Sequence, residues 1–246
     1  EPAFRNLRHN QRVDARVEER IVPASVWREC AAPVILEKLK KRRAFGGLDL
    51  SGVDDLTALV LAFPDDKKDK SFDLICNFWT PTGQLENRTP AERDLFKLWI
   101  NQKFLTPVPG PVIRYRYVAQ RLAELNEEYD LTIGFDRWGV KFLLPELEDI
   151  GLNLKLEPFG QGYQDMGPAI NYLAELALSK RLRHGGNPIL TSCMANAIVT
   201  QDPAGNKKID KDKSNRRATT RIDGAVAAAM AVGTARKNMN FPGQAA

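Results

Sequence analysis

Histidine is nearly absent from this chain of 246 residues: His9 and His184 are the only two. They lie too far apart in the sequence to begin a His-rich zinc site. Cysteine is scarce as well. Cys30, Cys76 and Cys193 show no CxxC spacing and leave an odd thiol over. That argues against a disulfide framework and for a reducing compartment. No apolar run approaches the ~20 residues of a membrane span. The opening residues Glu1-Pro2-Ala3-Phe4 lack an initiator Met and a signal-peptide pattern, so the chain reads as a fragment or a trimmed product. Internal repeats and low-complexity tracts are missing too. Charge of one sign is in small excess: 36 Lys and Arg face 31 Asp and Glu, a net +5. Such a balance permits an anionic partner without demanding one.

What is present is ordinary globular composition, 43% hydrophobic and 27% charged, enough for one large α/β domain or two small ones. Residues 1–43 are basic, irregular and broken by Pro23 and Pro33. They read as a linker region, with a short helix over Ser25–Cys30 capped by Ser25. The run Lys38, Lys40, Lys41, Arg42, Arg43 reads as a solvated face, with a phosphate-contacting patch as the alternative. From Ala44 the pattern changes and a domain spanning residues 44–246 begins. Strands are expected over 44–50, 57–63 and 72–80, joined as an antiparallel meander. Helices follow at 90–103 and 118–129. A short buried strand covers 131–135, and a helix over 140–150 is kinked or broken by Pro145. A strand over 152–157 and an amphipathic helix over 165–179 come next. The segment 184–188 turns the chain, 189–196 forms a short helix, and 197–201 and 207–211 form a hairpin. A last helix runs from Asp223 to about Lys237. The Pro107, Pro109, Pro111 segment is expected to be a stiff connector. This order makes an α/β fold: a mixed β-sheet, an antiparallel meander plus parallel strands, flanked by helices.

Three aspartates sit at element ends. Asp49 closes the first strand in Gly47-Leu48-Asp49-Leu50-Ser51. Asp136 follows a later strand in Phe135-Asp136-Arg137-Trp138. Asp223 opens the final helix in Arg221-Ile222-Asp223-Gly224. Taken singly, each is ordinary capping or strand-end chemistry. Taken together, they can share one end of a sheet, because an Ala-rich helix lets its backbone approach strands closely. Three clustered carboxylates resist full ionisation without a counter-charge. Mg²⁺ and Mn²⁺ supply that charge and prefer oxygen ligands. His184 reads as a turn or capping histidine, since hard cations do not select imidazole.

The words Gly47-Leu48-Asp49-Leu50-Ser51 with Asp55-Leu56-Thr57-Ala58, Phe135-Asp136-Arg137-Trp138, His184-Gly185-Gly186-Asn187-Pro188, Asn196, the 210–213 segment and Arg221-Ile222-Asp223-Gly224 appear in one order. In that order the chain resembles the C-terminal nuclease domain of the large terminase subunit of tailed bacteriophages, of the HK97-like type. The resemblance covers about residues 1–238. It implies an RNase H-like fold and a two-metal endonuclease in which Asp49, Asp136 and Asp223 are catalytic and hold two Mg²⁺ or Mn²⁺ ions. Asp55 matches an acidic position that assists the metal site in that family. Double-stranded DNA is the implied partner, with the portal protein and the small terminase subunit in the full-length protein, no membrane, and the host bacterial cytoplasm as location. No GxxxxGK[ST] phosphate loop occurs, so ATPase activity is not expected, and residues 1–43 read as the linker that would follow an N-terminal ATPase domain.

Lys207, Lys208, Lys211, Lys213, Arg216, Arg217 and Arg221 flank the hairpin and lead into Asp223, and Arg137 adjoins Asp136. They are expected to hold DNA phosphates, in a salt-sensitive way without sequence readout. Asp202, Asp210 and Asp212 dilute this patch. The alternatives are a non-catalytic module that docks on DNA and portal, another RNase H-like nuclease such as a resolvase, and an actin-like phosphotransferase. The last needs a second phosphate loop that the sequence does not contain.

Overall fold

Strict alternation of side chains builds the sheet from its first strand outward. The computed structural model describes residues 20–50, 56–65, 70–214 and 221–239, with Trp138, Asp212 and Lys213 described by their backbone alone. Strand β1 (Arg43–Asp49) pairs antiparallel with β2 (Thr57–Pro64), and β2 pairs antiparallel with β3 (Phe72–Pro81). On its other side β1 pairs in parallel with β5 (Asp130–Phe135), which pairs in parallel with β6 (Lys155–Pro158). The sheet is therefore the expected mixed one, a meander joined to parallel strands.

Two further strands escape a reading by pattern. β4 (Thr106–Val108) and β7 (Leu182–Arg183) each lie parallel to β3. β4 falls inside the segment read as a stiff connector. Pro107 is tolerated there because an edge strand does not need every N–H in a ladder. In β7, Arg183 faces Asp73 in register and grips that buried carboxylate with two hydrogen bonds, at 2.6 and 3.0 Å. Asp73 in turn holds the guanidinium in its charged form and raises its pKa. Strand order is β4-β3-β2-β1-β5-β6.

Helices cover both faces. On one lie α3 (Arg116–Glu128) and α5 (Leu144–Asp149), packed with Leu48, Leu59, Leu61, Leu131 and Ile133. On the other lie α6 (Tyr163–Leu178), α7 (Pro188–Asn196) and α9 (Asp223–Asn238), packed with Phe45, Ala58, Val60 and Phe78. The remaining helices are α1 (Ala24–Glu29), α2 (Pro90–Asn101), the single turn α4 (Arg137–Val140) and the short α8 (Lys211–Ser214). In α2, Thr89 and Glu92 form a reciprocal capping box with Pro90 in the first turn, which is why this start was readable. The helix expected over 140–150 is broken: α4 ends at Val140, and Pro145 sits in the first turn of α5. Strand β6 begins at Lys155 and not at Leu152. Ser25 does not cap α1. Pro23 holds that position, with no side-chain hydrogen bond.

Residues 20–43, the described part of the expected linker, lie on the domain. Ile21, Val22, Trp27, Cys30 and Leu39 are buried. The turn at 184–186 receives them: His184 N–H donates to Cys30 O at 3.0 Å and Gly185 N–H to Ala32 O at 3.1 Å. Among the described residues no helix is long and apolar enough to cross a membrane.

Helix α9 is the centre of the molecule. It packs on β1, β2, β5, α6 and α7, and every residue from Asp223 to Ala235 is buried. A helix apolar on all sides belongs inside a protein. Its small residues permit unusual closeness. A methyl group on Gly47 would overlap the carbonyl oxygen of Ala227, and one on Gly134 would overlap Thr234 Oγ1. Gly47 and Gly134 face each other across β1 and β5, so the two strands together form a bare track on which α9 lies.

Candidate active site

The same alternation decides where the aspartates point. Along β1, Phe45 and Gly47 face α9, so Asp49, two residues on, faces it too. Along β5, Gly134 faces Thr234, which sends Asp136 to that side. The parallel register pairs Gly47 with Gly134 and Leu48 with Phe135. Asp49 and Asp136 are the next step of this ladder, side by side where the two strands end. A third carboxylate comes from α9. Asp49 pairs with Ala58 and Ala58 with Phe78, one row across the sheet. Gly224 packs on the Phe78 ring and on Cys193 Sγ. Asp223, 9% exposed, therefore enters over the row that holds Asp49. Three residues far apart in sequence reach one end of one sheet face.

The donor set is of hard oxygen ligands, the chemistry that suits Mg²⁺ or Mn²⁺. Among the described residues, however, no three Asp, Glu, His or Cys side chains are drawn together tightly enough to hold an ion as they stand. Asp49, 5% exposed, is engaged by the protein's own groups. Gln161 Nε2 donates to Asp49 Oδ1 at 3.1 Å, and Lys211 Nζ stands 3.9 Å from the same oxygen.

Gln161 carries no motif and was missed by sequence reasoning. Its signal is weak: a polar residue between Gly160 and Gly162, just after a strand, in the kind of strand-end loop that often carries function. The loop is firmly tied. Gly160 N–H donates to Asp165 Oδ2 at 3.0 Å, and Lys237 Nζ meets Asp165 Oδ1 at 2.6 Å. Burial would raise the Asp165 pKa, but the Lys237 and Gly160 hydrogen bonds and the charges of Lys237 and Arg137 outweigh it and hold it low. Exposed Arg137 thus lies within electrostatic reach of that loop as well as beside Asp136.

The other site residues divide clearly. Lys207 and Lys208 lie on β9 (Lys207–Ile209), which pairs with β8 (Val199–Gln201) in the expected hairpin. Its backbone at Lys207 rests on Gly167 of α6, and Lys208 Nζ sits 5.0 Å from the centre of the Tyr163 ring. Asp202 organises the turn, accepting from the N–H groups of Ala204 at 2.9 Å and Asn206 at 2.8 Å. Arg221 lines a cavity of about 330 Å³ between α2 and α7. Its carbonyl accepts from Asn196 Nδ2 at 3.4 Å, which fixes the approach to Asp223. Lys211 reaches Asp49, as above. Asp55, Arg216 and Arg217 fall outside the described residues, as does the Lys213 side chain.

Two further groups are structural. Burial, and then the Asp223 charge, push the Cys193 thiol pKa up. His184 stacks on Trp27 with ring centres 4.2 Å apart and planes 6° from parallel. Its Nε2 lies 2.8 Å from Trp27 O and so donates the proton there. Asn187 caps α7, accepting from the N–H groups of Ile189 and Leu190 at 3.0 Å each.

Comparison with known proteins bears on the family and the fold. The family model for the terminase large subunit, endonuclease domain, matches residues 4–239. The large terminase subunit of Enterobacteria phage HK97 is 42% identical over 244 residues, 99% of this chain and 46% of that protein. The chain thus spans about half the length of that relative. The crystal structure of the HK97 large terminase superimposes with a TM-score of 0.79 over 94% of this chain and 46% of that one. The large terminase nuclease of thermophilic phage G20c, 14% identical, matches 82% of this chain and 86% of its own with a TM-score of 0.50, a likeness of fold. A mixed RNase H-like sheet, the aspartates at one end of it and a match along nearly the whole chain have one meaning: this chain belongs to the terminase large subunit endonuclease domain family.

Proposed function

We propose that this domain is a divalent-metal-dependent endodeoxyribonuclease that cuts concatemeric viral DNA during genome packaging. Asp49, Asp136 and Asp223 are the metal ligands in this reading, and Asp55 is an accessory one. One observation carries it: β1 and β5 end side by side at two aspartates, and the N-terminus of α9 brings a third over the same row. When bound, two hard cations supply an activated water and stabilise the departing 3′ oxygen of a phosphodiester. The chain's own residues do the rest. Asp49 and Asp136 orient the reacting end of the sheet, and Asp223 adds negative charge from α9. Gln161 fixes the Asp49 carboxylate. Lys207, Lys208, Arg137, Arg221 and the basic segment at 213–217 hold the backbone of double-stranded DNA through phosphate contacts. Portal protein and small terminase subunit are the further partners in the full-length protein, which acts in the cytoplasm of the host bacterium, with residues 1–43 leading from the motor domain.

The test is plasmid cleavage in Mn²⁺, Mg²⁺ or EDTA, comparing the parent with Asp136→Asn. Nicking and linearisation are expected only with metal, and the variant should lose more than about 100-fold in rate. If parent and variant both bind DNA and leave it intact, a non-catalytic docking module is the better reading. Equal cutting by both would put the chemistry elsewhere.

A further inference from the structure

Asp49 already has a cation beside it. Lys211 Nζ and Gln161 Nε2 approach the same oxygen, Oδ1, at 3.9 and 3.1 Å. A carboxylate this deeply buried is costly unless hydrogen bonds and opposite charge compensate it. Gln161 supplies hydrogen bonding and Lys211 supplies charge. The two are held very differently. Gln161 belongs to a loop fastened through Gly160 and Asp165 to Lys237 at the far end of α9. Lys211 opens the short α8, and its side chain is 52% exposed. Its ammonium stands beyond hydrogen-bonding distance, on a flexible four-carbon stem. So loose and exposed a pair is worth little and parts readily.

We propose that Lys211 is a built-in counter-cation for this site. With no divalent ion bound, its ammonium offsets the Asp49 charge. Loading an ion moves the ammonium out towards solvent or a DNA phosphate, while Gln161 keeps Asp49 oriented. The inference rests on the metal-site reading of Asp49, Asp136 and Asp223. It assigns Lys211 a role different from the other basic residues of the hairpin region, whose work is confined to phosphates. It also couples the two ligands of the domain: a phosphate that receives the released ammonium favours metal entry, and metal entry favours that phosphate contact.

The experiment is calorimetric titration of the whole chain with Mn²⁺ in the absence of DNA. Four proteins are compared: the parent, Lys211→Met, Lys155→Met and Asp136→Asn. Lys155 pairs with Asp130 at 3.2 Å, and Asp130 begins β5, the end opposite Asp136, so its loss changes net charge equally without touching the site. Lys211→Met should tighten Mn²⁺ binding by roughly twofold to fivefold, the fold-change that parting an exposed ion pair costs the parent when the ion enters. Lys155→Met should match the parent. If Lys211→Met and parent bind equally, and Asp136→Asn weakens binding, the metal site stands and the counter-cation role is overturned. Mn²⁺ binding that is absent from both, or indifferent to Asp136→Asn, overturns the metal site and this inference with it.

Discussion

His184 shows how a residue that looks chemical can be a piece of packing. It is 2% exposed, stacked on Trp27 and hydrogen-bonded to that residue's carbonyl across 157 positions of chain. Burial holds its pKa below the usual histidine value. In the unfolded chain the pKa returns to about 6.5. Above that pH both states are neutral and the contribution to stability is complete. As pH falls through 6.5 towards the lower folded value, the unfolded chain takes up the proton first and stability is lost. Urea unfolding at pH 7.5 and 5.5 should therefore show a lower midpoint at the acid pH, and His184→Gln should flatten that difference. An unchanged difference would remove His184 as its source. His184→Ala, which empties the stack, is expected to cost on the order of 3 kcal/mol. The histidine's turn was readable from Gly185, Gly186, Asn187 and Pro188. Its partner was not, because nothing in a local pattern points 157 residues away.

At the scale of elements, helix and sheet meet through missing side chains. Gly47 and Gly134 leave no room for a methyl group against Ala227 and Thr234. Either Gly→Ala change would push α9 off the strands that carry Asp49 and Asp136. Gly47→Ala meets helix backbone and should be the worse, costing more than about 4 kcal/mol in denaturant unfolding. Gly134→Ala meets a hydroxyl, and Thr234→Ala alongside it should recover part of the loss. No recovery would mean that the track is not what places the helix. Much of this level was legible: β1, β2, β3 and β5 announce themselves by composition, and α9 by its run of small apolar residues. The edge strands β4 and β7 were not, since three residues around Pro107 and two before His184 gain their strand character from β3. Gln161 was hidden for the same reason. Its meaning comes from the loop that Asp165 and Lys237 fasten, and only the folded chain brings it to Asp49.

Over the whole molecule the positive excess is small, so the proposed DNA binding has to come from placement and not from total charge. Lys207, Lys208 and Arg137 lie around the carboxylate end, while Lys155 and Lys180 pair with Asp130 and Glu29 elsewhere. Binding to a short duplex in EDTA should weaken steeply with salt. Lys207→Gln together with Lys208→Gln should lower the log–log slope by roughly 2, close to 0.9 for each phosphate that no longer meets a lysine. A slope that does not change would take the hairpin out of the DNA interface. The central position of α9 has a further consequence, for synthesis on the ribosome. The segment that completes the core starts at residue 223, after both strand-end aspartates have long since emerged. Until it docks, β1 and β5 have a bare track and no cover, and Asp223 cannot join Asp49 and Asp136. A growing chain therefore cannot bring the three aspartates to one end of the sheet early; they come there together with the core, when α9 is in place.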